Sequence, residues 1–169
     1  MSSSTLAAVY NGGELYQIFV DQDGNLAILS GDPEVTDNFV GPHRIQLEKR
    51  YIKPDKGTQI TAVSFPRYDE KDQKNIVEAS GSLYQYRQYD GYLEQITWDT
   101  RQEELTKGWS KWTLGNEFRP MLGSGIDARY VESKKRVYVH YKEKEGDNGF
   151  ACAYEDDKGD WIPKFLTAH

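Results

Sequence analysis

The sequence has little cysteine and no clustering of metal-binding side chains. Cys152 is the only cysteine among 169 residues, so the chain cannot form an internal disulfide. The three histidines lie far apart and share no metal-ligand spacing with acidic residues, which predicts neither a metal site nor a cofactor. The run Asp21-Gln22-Asp23-Gly24-Asn25 is rich in oxygen ligands but lacks the spacing of a calcium loop, and it favours a hairpin turn. Stability therefore has to come from packing alone.

Long apolar runs and an excess of positive charge are also missing. The first fifteen residues contain neither a basic start nor a long apolar segment, and no stretch is long enough to cross a bilayer. We expect a soluble protein that does not bind membranes and is either cytoplasmic or secreted without a conventional signal. The 27 acidic residues outnumber the 21 lysines and arginines, and the basic residues form no stripe. This distribution argues against nucleic acid as a partner.

Signatures of catalysis are absent as well. The sequence contains no nucleophile elbow, no phosphate-binding loop and no Cys-His arrangement. A glycosidase would need two carboxylates placed across a sugar, and nothing in the sequence pairs any two of the many that are present. We therefore expect that the protein is not an enzyme, and we rank catalysis below binding.

Aromatic residues, in contrast, are abundant. Twelve tyrosines and four tryptophans contribute to an aromatic content of 13% within a hydrophobic content of 37%. Tyrosine and tryptophan combine an apolar face with a polar edge, so they suit either half-buried strands or a surface that stacks on ligands. For a single aromatic residue, strand packing is the more frequent role. The composition is that of a globular chain with one real core.

The stretch 83–115 is the most complete copy of a repeated unit. Its first half alternates aromatic or apolar residues with polar ones, and Asp90-Gly91 separates the two runs with a strong hairpin signal. Its second half ends in the run 108–115, which is bounded by glycines and rich in strand-favouring residues. One unit is therefore predicted to be a small antiparallel sheet.

Two further units align with this one. Similar opening runs place Ala8, Ala62 and Ala128 at equivalent positions, which implies a repeat of about fifty to sixty residues, the scale of a propeller blade. We predict a single all-β, propeller-like domain of three antiparallel blades, spanning about residues 4–56, 57–117 and 118–169.

Local expectations follow from the same comparison. The alternation from Arg44 to Ile52 suits an outer strand, whereas Gly41-Pro42 marks a loop. The polar stretch from Arg67 to Asn75 is typical of an exposed loop. Gly159-Asp160-Trp161 mirrors Lys111-Trp112 at the end of the preceding unit.

Several motifs resemble the repeats of one lectin family. They are Gly123-Ser124-Gly125-Ile126-Asp127-Ala128, Lys135-Arg136-Val137-Tyr138-Val139, Trp98-Asp99 and Ser110-Lys111-Trp112. Spread over most of the chain, they are similar to the fungal fucose-specific lectins of the Aleuria aurantia type. The resemblance implies blades of four strands, a ring of six blades, and a sugar bound between neighbouring blades. It also implies that an Arg on the second strand and a Glu on the third hold hydroxyls while an aromatic residue of the next blade covers the apolar sugar face.

The residues at the family's sugar-binding positions are only partly kept. The Arg position falls on Tyr16, about Leu83 and Arg136 in the three units, and the Glu position falls near Ile28, on Gln95 and near Ala151. Trp112 and Trp161 fill the aromatic position of the second and third units. The resemblance thus implies a glycan site built from Arg136, Gln95, Trp112 and Trp161, for fucose or a related sugar.

Each of these residues also has a plainer interpretation. Trp112 and Trp161 would pack one blade against another, Gln95 would face solvent on a strand, and Arg136 would cover a neighbouring side chain with its stem.

Two functions remain open. The first is a non-enzymatic, glycan-binding lectin. The second is a propeller-like interaction module that has lost its sugar sites and binds a protein through its tyrosine-rich surface. Because the family closes its ring with six blades and three are found here, we also expect a homodimer that completes a six-bladed ring, with a compact monomer as the alternative.

Overall fold

The computed structural model describes most of the chain. The described residues are 6–11, 13–35, 37–69, 72–83, 91–99, 104–106, 108–112, 118–121, 123–144, 149–156, 158 and 160–166. Within them, only the backbone is described for 66–69, 72–83, 99, 112, 165 and 166. No described helix is long and apolar enough to cross a membrane.

Three four-stranded antiparallel sheets follow one another along the chain. The first contains β1 (Leu6–Asn11), β2 (Glu14–Val20), β3 (Leu26–Gly31) and β4 (Val40–Arg44), and a two-stranded hairpin of β5 (Gln46–Leu47) and β6 (Arg50–Tyr51) follows it. The second contains β7 (Ile60–Asp69), β8 (Asp72–Leu83), β9 (Tyr92–Asp99) and β10 (Trp109–Trp112). The third contains β11 (Ile126–Val131), β12 (Arg136–Lys142), β13 (Phe150–Glu155) and β14 (Trp161–Leu166). The predicted all-β class with four-stranded antiparallel blades is confirmed.

The sheets pack face to face, and the second sheet has apolar side chains on both of its faces. In β9, the even-numbered Ile96 and Trp98 join a core shared with the first sheet, whereas Leu93 joins a core shared with the third sheet. The second sheet is therefore covered on both faces, and its inner strand β7 lies beside β1 and β11. Such a sheet needs apolar residues on both faces, which is why its strands lack a clean alternation of apolar and polar residues.

The repeat register agrees with the alignment of the three units. Ala8, Ala62 and Ala128 are each the third residue of the inner strand of their sheet. The fourth strands also correspond, but at a different tryptophan. Trp109 and Trp161 are the first residues of β10 and β14, and each packs towards the preceding sheet. Trp161 therefore corresponds to Trp109, and the predicted match to Trp112 is wrong.

Two local predictions for the first unit are wrong. The outer strand is β4, which crosses Gly41-Pro42, and the segment that was expected to form it makes the β5–β6 hairpin instead. Glu48 and Lys49 both have positive φ, the conformation of a two-residue hairpin turn. Gly41 lets β4 lie against β3 because a Cβ there would come within 2.9 Å of the Ile28 carbonyl oxygen.

The expected loop from Arg67 to Asn75 is also wrong for most of its length. β7 and β8 continue through it as a long hairpin, with Arg67 opposite Lys74 and Asp69 opposite Asp72. Pairing with the partner strand, rather than the polarity of the residues, makes this stretch a strand, so polarity alone did not distinguish it from a loop. The predicted strand around Tyr84 and the Asp90 side of its turn lie outside the described residues, and β9 begins at Tyr92.

Candidate functional site

Two of the four predicted site residues face the same space. Gln95 is in β9, the third strand of the second sheet. By strand alternation its side chain lies on the same side of β9 as that of Leu93, and it is only 2% exposed. Trp161 begins β14 and packs against the core that the second and third sheets share. Both side chains therefore belong to the space between these two sheets, which we call the second gap.

Further polar groups face the second gap. Thr97, two residues after Gln95, forms a hydroxyl pair with Ser110 of β10 at 2.7 Å between the two Oγ atoms. The indole Nε1 of Trp161 is buried and has no hydrogen-bond acceptor among the described residues. Glu155 lies opposite Trp161 on β13 and shares its side of the third sheet by strand alternation. The gap thus combines a ring with an amide, two hydroxyls and a carboxylate, the groups that hold a polyhydroxylated ligand.

Arg136 lies on the other side of the third sheet. Its neighbours Val137 and Val139 point into the core, so Arg136 and Tyr138 occupy the outer face. The Arg136 guanidinium lies 5.7 Å from the centre of the Tyr154 ring, and the Tyr138 and Tyr154 rings are 5.5 Å apart. Arg136 is therefore not brought together with Gln95 and Trp161.

Trp112 is described by its backbone only. It is the last residue of β10 and lies opposite Gln95 of β9. Its predicted sugar-stacking side chain lies outside the described residues.

Three aromatic rings pack together in the gap between the first and second sheets, which we call the first gap. Tyr16 is tilted against Trp98 with ring centroids 5.8 Å apart, and Trp98 stacks on Trp109 at 6.2 Å. Trp109 also donates its indole N–H to the Leu105 carbonyl at 2.7 Å. With Tyr16 at the expected Arg position, the first gap is mainly an apolar contact between sheets. Its described polar groups include the Glu94–Lys111 ion pair, 2.6 Å between Oε1 and Nζ, on the side of β9 that carries Ile96 and Trp98.

Tyr16 makes the first gap sensitive to alkali. Burial and the neighbouring Glu14 carboxylate raise the pKa of Tyr16 to about 12, whereas a tyrosine in an unfolded chain titrates near 10. Because the folded pKa is the higher one, this contribution to stability is complete below about pH 10 and is lost as the pH rises through about 12. We expect thermal unfolding temperatures to fall more steeply between pH 10 and 12 in the native chain than in Tyr16→Phe. Equal slopes would contradict this assignment.

The acidic run 21–25 forms the turn that joins β2 and β3. The backbone N–H groups of Asp23 and Asn25 donate to Oδ1 of Asp21 at 2.9 and 2.8 Å. Arg44 donates from Nε to Oδ2 of Asp21 at 2.7 Å and also pairs with Asp23. Burial disfavours the charged carboxylate, but the hydrogen bonds from Asn25 and Arg44 outweigh burial and hold the pKa of Asp21 below its usual value. These carboxylates are occupied in fixing the turn, and no group of potential metal ligands occurs among the described residues.

Sequence reasoning missed three residues of the second gap. Thr97, Ser110 and Glu155 belong to no recognisable sequence motif. They can be assigned to the gap only from their positions along paired strands, where alternate residues face the same side. Thr97 and Gln95 share a parity on β9, and Ser110 lies opposite Thr97 on β10. Glu155 would have been found by pairing Trp161 with the end of the preceding strand.

Comparison with known proteins supports the fold. No protein-family model and no curated protein matches the sequence. Among solved structures, the six-bladed β-propeller lectin of Aleuria aurantia, described with its fucose recognition mode, matches with a TM-score of 0.68 and 16% identity over 98% of this chain and 48% of the lectin chain. The chain has a β-propeller-like fold.

Other propellers match as well. A variant of the same lectin in complex with α-methyl-L-fucoside gives a TM-score of 0.67 at 17% identity, over 98% of this chain and 47% of that one. An α-L-arabinofuranosidase from Fusarium graminearum, in complex with an iminosugar inhibitor, gives 0.58 at 12% identity over 96% and 47%. The chain spans about half the length of these structures, and identities this low establish the fold alone.

Proposed function

We propose that the protein binds a carbohydrate in the second gap, without catalysing a reaction on it. The observation that carries the proposal is that Gln95, by strand alternation with Leu93, and Trp161 both face this gap, and that the buried indole N–H of Trp161 has no acceptor among the described residues. A sugar offers both an apolar C–H face for the ring and hydroxyls for the amide and the indole. The likeness to propeller lectins supports the same ligand class.

Fucose or a closely related sugar is the ligand we propose. Gln95 stands where the resembled lectins have a Glu, so it supplies a neutral amide in place of a charge-assisted bond. Glu155, beside Trp161 on the third sheet, brings a carboxylate to the same gap from the opposite side. The site therefore keeps the expected chemistry with a different arrangement of residues.

A binding role fits the second gap better than hydrolysis does. Glycoside hydrolysis generally needs two carboxyl groups about 5–10 Å apart across the sugar. Strand alternation assigns the Glu155 carboxylate to this gap, and the Glu143 carboxylate, one residue past β12, is hydrogen-bonded to Tyr141 in the core that the second and third sheets share. Because Glu143 is engaged with Tyr141, we assign it no catalytic role, and we assign the Glu155 carboxylate to holding a sugar hydroxyl.

Truncation of the ring provides the main test of binding. On a glycan array and in titration calorimetry with L-fucose, we expect Trp161→Ala to weaken binding about tenfold or more, because the stacking surface is lost. Glu155→Gln should weaken it severalfold, since the hydrogen bond to a hydroxyl is no longer charge-assisted.

Tyr51→Ala is the matched control, because Tyr51 is an aromatic residue, 51% exposed, on the β5–β6 hairpin. The Tyr51→Ala variant should bind each glycan with the same affinity as the native chain. Equal affinity of Trp161→Ala and the native chain for the same glycan would refute the site.

A protein-interaction module is the second candidate. It is favoured by exposed aromatic and aliphatic residues on the outer sheet faces, including Leu6, Tyr10 and Phe150. If the protein binds no glycan on the array and a defined protein partner binds these residues, this candidate is supported over the lectin.

We further propose that two copies of the chain complete a six-sheet ring. The chain holds three sheets, and the six-bladed lectin that it matches is about twice as long. Two-fold closure would cover both outer faces with the same type of contact. Light scattering at micromolar concentration should give twice the 19.4 kDa mass of one chain.

A further inference from the structure

The outer face of the first sheet exposes an apolar row on its inner strand. Leu6, Ala8 and Tyr10 alternate along β1, and all three are exposed, Tyr10 by 60%. By the register with β2, this face continues through Phe19 and Leu15, which lie opposite Leu6 and Tyr10. A sheet face of this kind normally packs against another element.

The same positions are covered in the other two sheets. The first and third residues of the inner strand, Ile60 and Ala62 in β7, pack into the core against the first sheet. Ile126 and Ala128, their equivalents in β11, pack into the core against the second sheet. Leu6 and Ala8 are thus the copies of a repeated sheet-to-sheet contact that no described sheet of this chain covers.

The fifth residue of the inner strand follows the same rule. Tyr130 of β11 stacks on Phe65, the sixth residue of β7, with centroids 4.8 Å apart and planes within 10°. Tyr10 is the fifth residue of β1, and the sixth residue of β11 is Val131. Val131 is half-buried and lies opposite Arg136 on the outer face of the third sheet.

A backbone contact repeats in the same way. The Ala128 N–H donates to the hydroxyl of Thr61 at 3.3 Å, which joins the third residue of β11 to the second residue of β7. The equivalent pair at the ends of the chain is the Ala8 N–H and the Asp127 carboxylate. An N–H facing a carboxylate is a stronger pair than an N–H facing a hydroxyl.

We propose that the outer face of the first sheet is a docking surface for the outer face of the third sheet of a second copy. Tyr10 then packs on Val131 and Ala8 donates to Asp127 of that copy, in the register seen between the second and third sheets. The contact is heterologous, and two such junctions close the two-copy ring on which this inference rests.

Opposite charges at the two partner positions test the register. Tyr10→Lys alone and Val131→Glu alone each place a charge in both junctions, so each variant should run as a monomer in light scattering. Mixed in equal amounts, they should recover the mass of two chains. The mixed dimer has one unaltered junction and one in which the new lysine faces the new glutamate.

Tyr51→Lys serves as the control because it changes a similarly exposed tyrosine on the β5–β6 hairpin. It should remain a dimer. A native chain that is monomeric at micromolar concentration would overturn the inference. A dimeric Val131→Glu variant beside a monomeric Tyr10→Lys variant would also overturn it, because this result would indicate that the first sheets of two copies face each other.

Sugar binding distinguishes this inference from the proposed ligand. The second gap lies within one chain, so the monomeric Tyr10→Lys variant should keep the glycan affinity of the native chain. Binding with no dimer would overturn the docking surface alone, whereas a dimer with no binding would overturn the glycan site alone.

Discussion

Replacing Trp98 with alanine is expected to lower the free energy of unfolding by about 3–5 kcal/mol, the range for truncating a large buried aromatic residue. Trp98 is 3% exposed and lies between Tyr16 and Trp109, in the core that joins the first and second sheets. Its loss removes a large apolar surface and leaves two facing rings without a partner. The adjoining β-sheets are rigid, so the cavity cannot collapse fully.

Urea or guanidinium unfolding measures this loss. Trp98→Phe provides the matched variant, since it keeps a ring between Tyr16 and Trp109, and it should lose about half as much stability or less. A loss below about 1 kcal/mol in Trp98→Ala would mean that the first and second sheets are not held together through this aromatic contact.

Phe118→Ala is expected to have a similar effect, about 3–5 kcal/mol, at the other junction. Phe118 is 1% exposed in the segment between β10 and β11, and its ring meets Tyr141 edge-on with centroids 6.5 Å apart. Its carbonyl accepts a hydrogen bond from the Leu93 N–H at 2.8 Å. Phe118 therefore contacts both the second sheet, through Leu93, and the third sheet, through Tyr141.

Phe150→Ala controls for the change of residue type. Phe150 is 61% exposed on the third sheet, so its truncation, made in the Tyr10→Lys background that we expect to be monomeric, should change stability by no more than about 0.5 kcal/mol. Equal losses in the two phenylalanine variants would contradict the assigned burial of Phe118.

Amide hydrogen exchange should separate the effects of the Trp98 and Phe118 substitutions. Each sheet packs against its neighbour in the chain, as the two cores show, and stacked repeats transmit destabilisation mainly to adjacent units. Trp98→Ala should increase exchange most in the first sheet, and Phe118→Ala most in the third. Uniform acceleration in both variants would indicate that the three sheets unfold as one cooperative unit.

The two junctions differ in composition, and this difference supports the proposed site. The first gap holds stacked aromatic rings. The second gap adds Gln95, the Thr97–Ser110 hydroxyl pair and the Trp161 indole to an apolar core. The first gap also holds polar groups, and two pairs of them are joined to each other, Glu94 with Lys111 and Glu14 with Tyr16. A buried donor without an acceptor destabilises a fold, so the Trp161 indole N–H is the group that supports our proposal of a ligand in the second gap.

Local sequence patterns determined the class of the fold and the repeat. Ala8, Ala62 and Ala128 fixed the spacing of the inner strands because each strand repeats the same apolar opening. The Asp21 turn was also predictable, since an Asp that binds its own backbone next to a glycine acts within a few residues. Such interactions are short in range, so the sequence carries them directly.

Strand identity at the edges was less predictable. β4 crosses Gly41-Pro42, and the hairpin of β7 and β8 runs through a polar stretch, because their pairing depends on partner strands rather than on their own composition. The sequence also supplied Gln95 and Trp161 as candidates through a family resemblance, but it grouped them with Arg136.

Only the tertiary structure separated these residues. Adjacent strand residues point to opposite faces, so whether two residues from different strands meet depends on which sheet covers each face. The Gln95 side chain lies on the side of the second sheet that faces the third, and Trp161 lies on the side of the third sheet that faces the second. Arg136 lies on the outer face of the third sheet, beside Tyr154. The sequence by itself thus determined a β fold of repeated units and the candidate residues of the proposed glycan site. The stacking of the sheets decided which of those residues share a gap, because that choice is set by contacts between units that no local pattern encodes.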